Sequence, residues 1–161
     1  MIRTALAATV ALTTALGAAA APISPADAAD MLTGYGSEFA DITWLDEKTA
    51  TIDGKMSEYF YTVRMMNCSA VRVCETVMIF ATFEMGGAPG LESYLRTNEY
   101  NDSYPFGRAF VLDPEDEDTH ILGVDYAIDV SGGHTFTGLD MDKFMAILSS
   151  YVDHMASEGE E

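Results

Sequence analysis

The stretch MSEYFYTVRMMNCSAVRVCETVMIFATF, residues 56–83, decides the fold. Its first part, Met56 to Met66, alternates in the two-residue rhythm of a strand. Tyr59, Tyr61, Val63 and Met65 fall on one face, and Phe60, Thr62, Arg64 and Met66 on the other. Its last part, Thr76 to Phe83, carries no charge, the pattern of a central strand covered on both faces. Cys68 and Cys74 bracket the connection between the two runs. A bridge between them would join strands that already pair in a hairpin.

On the N-terminal side, Asp53-Gly54 is a turn signal of the hairpin type. Before it, Phe39 to Trp44 and Lys48 to Ile52 read as short strands separated by Asp46-Glu47. Further upstream, Ser24 is placed to cap a helix over Ala26 to Leu32, with Pro25 at its first position and Asp27 and Asp30 in the early turns. Gly34 and Gly36 close it. On the C-terminal side, the run from Gly86 to Gly90 is punctuation, and Leu91 to Tyr100 reads as a helix with Leu91, Tyr94 and Leu95 on one side. Asn101 to Pro105 ends that helix. Gly107 to Leu112 and His120 to Ile128 follow as strands joined by the acidic turn Asp113 to Asp118. The last helix is the clearest. Met141, Phe144, Met145, Leu148, Tyr151, Val152 and Met155 recur at three- and four-residue intervals as one apolar stripe. Thr137 and Asp140 before that stripe resemble a capping box. The order helix, strands, helix, strands, helix predicts an α+β fold, an antiparallel sheet packed by helices.

At 161 residues, 48% hydrophobic and 21% charged, the chain suits one compact domain over 21–161, without repeats or a linker. Its 26 acidic and 8 basic side chains leave a net charge of -18. That balance argues against nucleic acid and against an anionic membrane surface, since both need clustered Lys and Arg.

The first segment reads as an export signal. Arg3 is a short positive region, Ala5 to Leu16 is apolar, and Ala18-Ala19-Ala20 is the small-x-small pattern of signal peptidase substrates. Cleavage is expected after Ala20, because Pro22 would hinder a cut after Ala21. Ala26-Asp27-Ala28 is a weaker candidate, too far past the apolar run. The rival reading, a retained membrane anchor, suits the segment poorly: Ala and Thr insert weakly, and spanning takes about 20 strongly apolar residues. Residues 1–20 are thus expected to be a signal peptide, and the mature chain to be periplasmic without stable membrane insertion. In an oxidising compartment two cysteines with no thiol left over read as a structural disulfide. A metal site would need further ligands near Cys68 and Cys74, and the nearest histidine, His120, is far along the chain. A redox pair would more typically be Cys-x-x-Cys.

Little in the sequence points to chemistry. His120, His134 and His154 have no ligand or nucleophile at a recognisable spacing, and no phosphate loop, zinc-protease motif or nucleophile elbow is present. No cofactor is expected. The acidic run Asp113 to Asp118 invites a calcium reading, but an EF-hand loop begun at Asp113 puts Asp118 where Gly belongs and Val124 where Glu belongs. A solvated turn is the simpler account. Asp125 and Asp129 share a strand face, yet no partner for acid–base work accompanies them.

Several strings taken in order resemble the YbjN family of bacterial domains, in its exported single-domain form. They are Tyr59 to Arg64 leading into Cys68 and Cys74, the uncharged run to Phe83, Tyr100-Asn101 at a helix end, Phe106-Gly107-Arg108-Ala109 opening a strand, and Gly132-Gly133 before the closing helix. The resemblance covers about Ala26 to Met155. It implies a fold similar to type III secretion chaperones and a role as a sensory transduction regulator, with no catalytic residue to carry over. The chain departs from the family at Tyr100, where Trp is frequent, and at Asp102 to Pro105, where a basic step is usual. The connection from Gly133 to Asp140 also looks longer than typical.

Asn101, Phe106 and Arg108 are the candidate partner-binding residues. They also have structural readings: Asn101 capping the helix end, Phe106 anchoring the turn in the core, and Arg108 pairing with an acid on the sheet. The expected function is an exported, non-enzymatic binding or regulatory module that engages an unidentified protein or peptide, with a homodimer left open. The alternative is a small-molecule or divalent-cation binding protein using the 113–118 turn.

Overall fold

The computed structural model describes residues 23–112 and 119–157. The expected signal peptide and the acidic turn therefore lie outside the described residues. The elements in chain order are α1 (Pro25–Tyr35), β1 (Ala40–Trp44), β2 (Ala50–Met56), β3 (Tyr59–Met66), β4 (Thr76–Gly86), α2 (Leu91–Ser103), β5 (Arg108–Leu112), β6 (Thr119–Asp129) and α3 (Gly138–Ala156). All strand pairs are antiparallel, in the order β1-β2-β3-β4-β6-β5. The fold is α+β, as the element order implies.

Local signals account for the ends of the first and last helices. The Ser24 side chain accepts the Asp27 N–H at 3.2 Å, and Gly36, at φ 115°, closes α1 with its own N–H and that of Ser37 donating back to Thr33 and Leu32. At the start of α3 the Asp140 carboxylate accepts the Thr137 N–H at 2.9 Å, the capping interaction that the sequence spacing suggests.

The helices pack on one face of the sheet. Leu32 of α1, Tyr100 of α2, and Phe144 and Leu148 of α3 belong to one cluster with Ile52, Val63, Ile79 and Val124, all fully buried. Register places Ile52, Val63, Ile79 and Tyr126 side by side across four strands, so the period-2 pattern of each strand delivers one continuous apolar surface to the helices.

Three expectations need correction, and one apolar side of a helix needs placing. Asp53-Gly54 is not a turn. Both residues lie within β2, and the hairpin turns instead at Ser57-Glu58, with Ser57 at φ 56°. Gly54 is there because the Tyr61 ring lies across it: an added Cβ would meet the ring 2.5 Å away. Second, β4 is central but covered on one face only. Val77, Ile79 and Ala81 are buried, whereas Met78 and Phe80 are half-buried and Thr82 is exposed. Long side chains on neighbouring strands shield that second face in part, so no charge was needed there. The side to be placed is that of α2, which presents Leu91, Tyr94 and Leu95 to solvent and buries Thr97 and Tyr100 instead. Tyr100 reaches α3, where its hydroxyl donates to the Ile147 carbonyl at 3.2 Å. Third, α2 runs on to Ser103, past the Asn101 expected to end it.

Candidate functional site

The uncovered face of the sheet is the candidate site. One row crosses all six strands on it: Asp41, Asp53, Thr62, Phe80, Asp125 and Arg108 are successive register partners. The next row over pairs Arg64 with Met78, and another pairs Thr82, Gly123 and Phe110. Around the middle of these rows lies a hollow of about 280 Å³ lined by Arg64, Met78, Phe80, Arg108, Phe110 and Asp125, among others. A second hollow of about 200 Å³ adjoins it, sharing Phe80 and Thr82 and reaching Phe60, which is 66% exposed.

Gly123 shapes the floor. A Cβ there would overlap the Phe110 ring and press on the Ala81 carbonyl at 2.9 Å. The absent side chain is what lets Phe110 lie across β6. Arg64 sets the wall. Its guanidinium sits 5.4 Å from the centre of the Phe80 ring, a cation–π contact, and its Nε–H is sealed from water without an acceptor among the described residues. On the opposite side Arg108 donates from Nε and Nη2 to Asp125 Oδ2, at 3.2 and 2.6 Å. Asp125 is buried while the Arg108 side chain remains 70% exposed, so this arginine is anchored at one end and free at the other.

The three residues singled out from the sequence are close in the chain but do different things. Asn101 faces the outer edge of β5: its Oδ1 accepts the Ala109 N–H at 2.8 Å and its Nδ2 donates to the Ala109 carbonyl at 3.1 Å. The side chain thus stands in for a neighbouring strand on an edge that would otherwise be open. The helix-end capping reading for Asn101 is replaced by this contact. Phe106 is not anchored in the core. It is 56% exposed, with Lys143 Nζ 4.2 Å from its ring centre and 4.8 Å from that of Tyr126. Arg108 alone of the three lines the hollow of the open face, and it pairs with an acid on the sheet as its structural reading holds.

The remaining candidates are dispersed. Cys68 and Cys74 are joined by a disulfide, and both are buried. The Cys74 N–H donates to Ile23 and the Cys68 N–H to Lys48, so the bridge fastens the start of the described chain and the entry to β2. His120 is buried between the Gly87 carbonyl and the Ser93 hydroxyl, and His154 contacts the Arg96 carbonyl. His134 meets Asp140 at 3.0 Å, where that carboxylate already serves the helix cap. Asp129 is held by the Ser131 hydroxyl and N–H, which keep its carboxyl below the usual range. Its neighbour on the same strand face, Asp125, is committed to Arg108. Among the described residues no cluster of three or more His, Cys, Asp or Glu is placed to hold a metal ion, and no helix is long and apolar enough to cross a membrane.

The arrangement offers apolar and aromatic surface beside two guanidinium groups, which is chemistry suited to binding. Sequence reasoning missed Arg64, Phe80, Phe110 and Gly123 as a set. The alternation within each strand assigned Arg64 and Gly123 to faces, but the pairing of β4 with β6 across α2 leaves no local signal.

Among solved structures, the chain is similar to "Crystal structure of YbjN, a putative transcription regulator from E. coli", with 14% identity and a TM-score of 0.46 over 78% of this chain and 81% of that one. No curated protein matches it. Residues 28–157 match the family YbjN, described as "Putative bacterial sensory transduction regulator". That match takes in every element from α1 to α3 except the first residues of α1. The chain belongs to the YbjN family.

Proposed function

We propose that the protein is an exported, non-enzymatic regulatory module that holds a protein or peptide partner against the open face of its sheet. The observation that carries this reading is the face itself. It presents Phe60, Met78, Phe80 and Phe110 with no helix over them among the described residues, while the opposite face takes the helices and the buried cluster. Exposed aromatic and methionine surface of this kind marks interaction sites. The family description supports a regulatory role. Export is supported by the pattern of residues 1–20, which also suits the oxidised Cys68–Cys74 pair.

The test compares variants of the mature domain as bait in periplasmic extract. Phe80→Asp should lose a partner that the native domain and Val71→Asp, on the exposed bridge loop, both retain. Equal recovery by all three baits would refute the open face as the site. For export, the protein recovered from the periplasm should begin at Ala21; a chain found in the cytosol with its signal intact and free thiols would refute that part.

A further inference from the structure

We infer that two copies of this chain pair through the edge of β1, antiparallel and centred on Ile42, so that the sheet of one copy continues into the other. This does not depend on what the open face binds. The sheet has two edges, β1 and β5. That of β5 is occupied by Asn101, whose side chain takes both backbone groups of Ala109. β1 has no such cover among the described residues. The Leu45 N–H donates to the Thr49 carbonyl at 2.9 Å. In the register that pairs Trp44 with Ala50, this turns the backbone of Asp41 and Thr43 towards β2 and that of Ala40, Ile42 and Trp44 outwards. The strand reads Ala-Asp-Ile-Thr-Trp, with no Lys, no Pro and an unbroken register, so the common devices that blunt an edge are missing.

The side chains say which strand such an edge would take. Facing a second β1 with Ile42 on the two-fold axis, Ala40 meets the partner's Trp44 and Ile42 meets the partner's Ile42. Each of these pairs can exchange both of its backbone hydrogen bonds. The smallest side chain of the strand thus faces the largest, on the side of the sheet where Ile42 and Trp44 lie opposite Ile52 and Ala50. On the other side Asp41 meets the partner's Thr43, a carboxylate opposite a hydroxyl. One step further out, Leu45, 56% exposed, comes beside the partner's Phe39. Glu38 would approach the partner's Asp46, but its carboxylate already holds Lys55 at 2.9 Å, and Asp46 accepts the Lys48 N–H at 2.6 Å. Other registers fit less well. Centring on Asp41 sets two aspartates side by side, and centring on Thr43 leaves Ala40 outside the pairing and puts Asp41 against Leu45. A strand that matches itself in the register that uses its whole length points to a second copy of this chain. The axis stands perpendicular to the sheet, so the helices of both copies stay on one side and the two open faces join.

Sedimentation of the mature domain between about 10 and 300 μM should show a monomer–dimer equilibrium that follows mass action. Ile42→Pro removes an N–H that β2 does not use and should weaken association about a hundredfold. Ile42→Lys puts a charge on the axis and should do the same, which separates loss of pairing from any misfolding of the proline variant. Leu95→Lys, on the exposed side of α2, should leave the dimer intact. Hydrogen exchange reads the register: the amides of Ala40, Ile42 and Trp44 should slow as the dimer forms, while those of Asp41 and Thr43 are slow at every concentration. A domain that stays monomeric over the whole range overturns the inference, and so does a dimer that survives both Ile42 variants. A dimer abolished by Leu95→Lys overturns it as well, as do Ala40, Ile42 and Trp44 amides that exchange alike in monomer and dimer. Loss of partner capture in Phe80→Asp would stand in each of these cases, because Phe80 lies on the open face and not on this edge.

Discussion

Ile79 and Phe80 are neighbours on β4 and belong to different surfaces. Ile79 is fully buried in the cluster that the helices close, whereas Phe80 shares the opposite face with Arg64 and lines a hollow open to solvent. The covered face is apolar from strand to strand, whereas the open face sets Phe80 in a row with Asp41, Asp53, Thr62, Asp125 and Arg108. They also differ in what stands opposite. The covered face meets Leu32, Tyr100, Phe144 and Leu148 and becomes a core; the open face has no helix over it among the described residues, and there Arg64 lies against the Phe80 ring while Arg108 pairs with Asp125.

The contrast is broken most directly by trimming each face in turn. Ile79→Ala should cost about 3 kcal/mol in urea denaturation, as deletions in a packed core do, while Phe60→Ala on the open face should stay within about 0.5 kcal/mol. Comparable losses would mean that the open face is covered after all. The disulfide belongs to the covered side, since both cysteines lie in the buried cluster. Replacing both by Ala should lower stability by about 2 kcal/mol through the freed loop of the unfolded chain, and leave partner capture by the open face as it is. Gly123→Ala strikes the open face through its floor. Displacing the Phe110 ring should cost about 2 kcal/mol and alter the hollow, and Phe110→Ala in the same chain should restore only part of it, because the Ala81 carbonyl stays 2.9 Å from the new methyl.

The smallest effect concerns pH and again sorts by face. Tyr61, Tyr100 and Tyr151 are buried on the covered side, and burial raises all three above the ordinary tyrosine value of 10.0. The Tyr151 hydroxyl is buried without a partner, which makes its ionisation costlier still. A group raised in the fold contributes stability in full below its unfolded value and loses it as pH climbs towards the folded one. Stability should therefore hold up to about pH 10 and fall above it, by up to about 1.4 kcal/mol per pH unit for each tyrosine that stays protonated. Tyr151→Phe should flatten that fall in chemical denaturation across the alkaline range, and an unchanged slope would show that Tyr151 does not contribute to it.

Much of the fold was legible because its signals are local. The alternation of Tyr61, Val63 and Met65, the stripe from Met141 to Met155, the Ser24 cap and the Thr137–Asp140 box all depend on residues a few positions apart. The failures share one cause. Asp53-Gly54 carries turn chemistry, yet Gly54 answers to Tyr61 on the next strand. Leu91, Tyr94 and Leu95 share one side of α2, but the sequence does not say which side is buried, and the contacts of Thr97 and Tyr100 with the rest of the fold leave that side in solvent. Phe106 was expected in the core and instead covers Lys143. In the candidate site, Arg108 was found and Arg64 was not, because strand alternation sets a side chain's face but not its neighbours.

By itself the sequence determined the order of helices and strands and which residues of β3, β6 and α3 point together. Only the tertiary structure decided that the helices share one face, that β6 rather than β5 lies beside β4, and that Phe110, Gly123 and Arg64 meet around one hollow. The physical reason is range. Backbone propensity and side-chain period act over a few residues, whereas the choice of neighbouring strand and covered face is made by burying apolar area drawn from the whole chain at once.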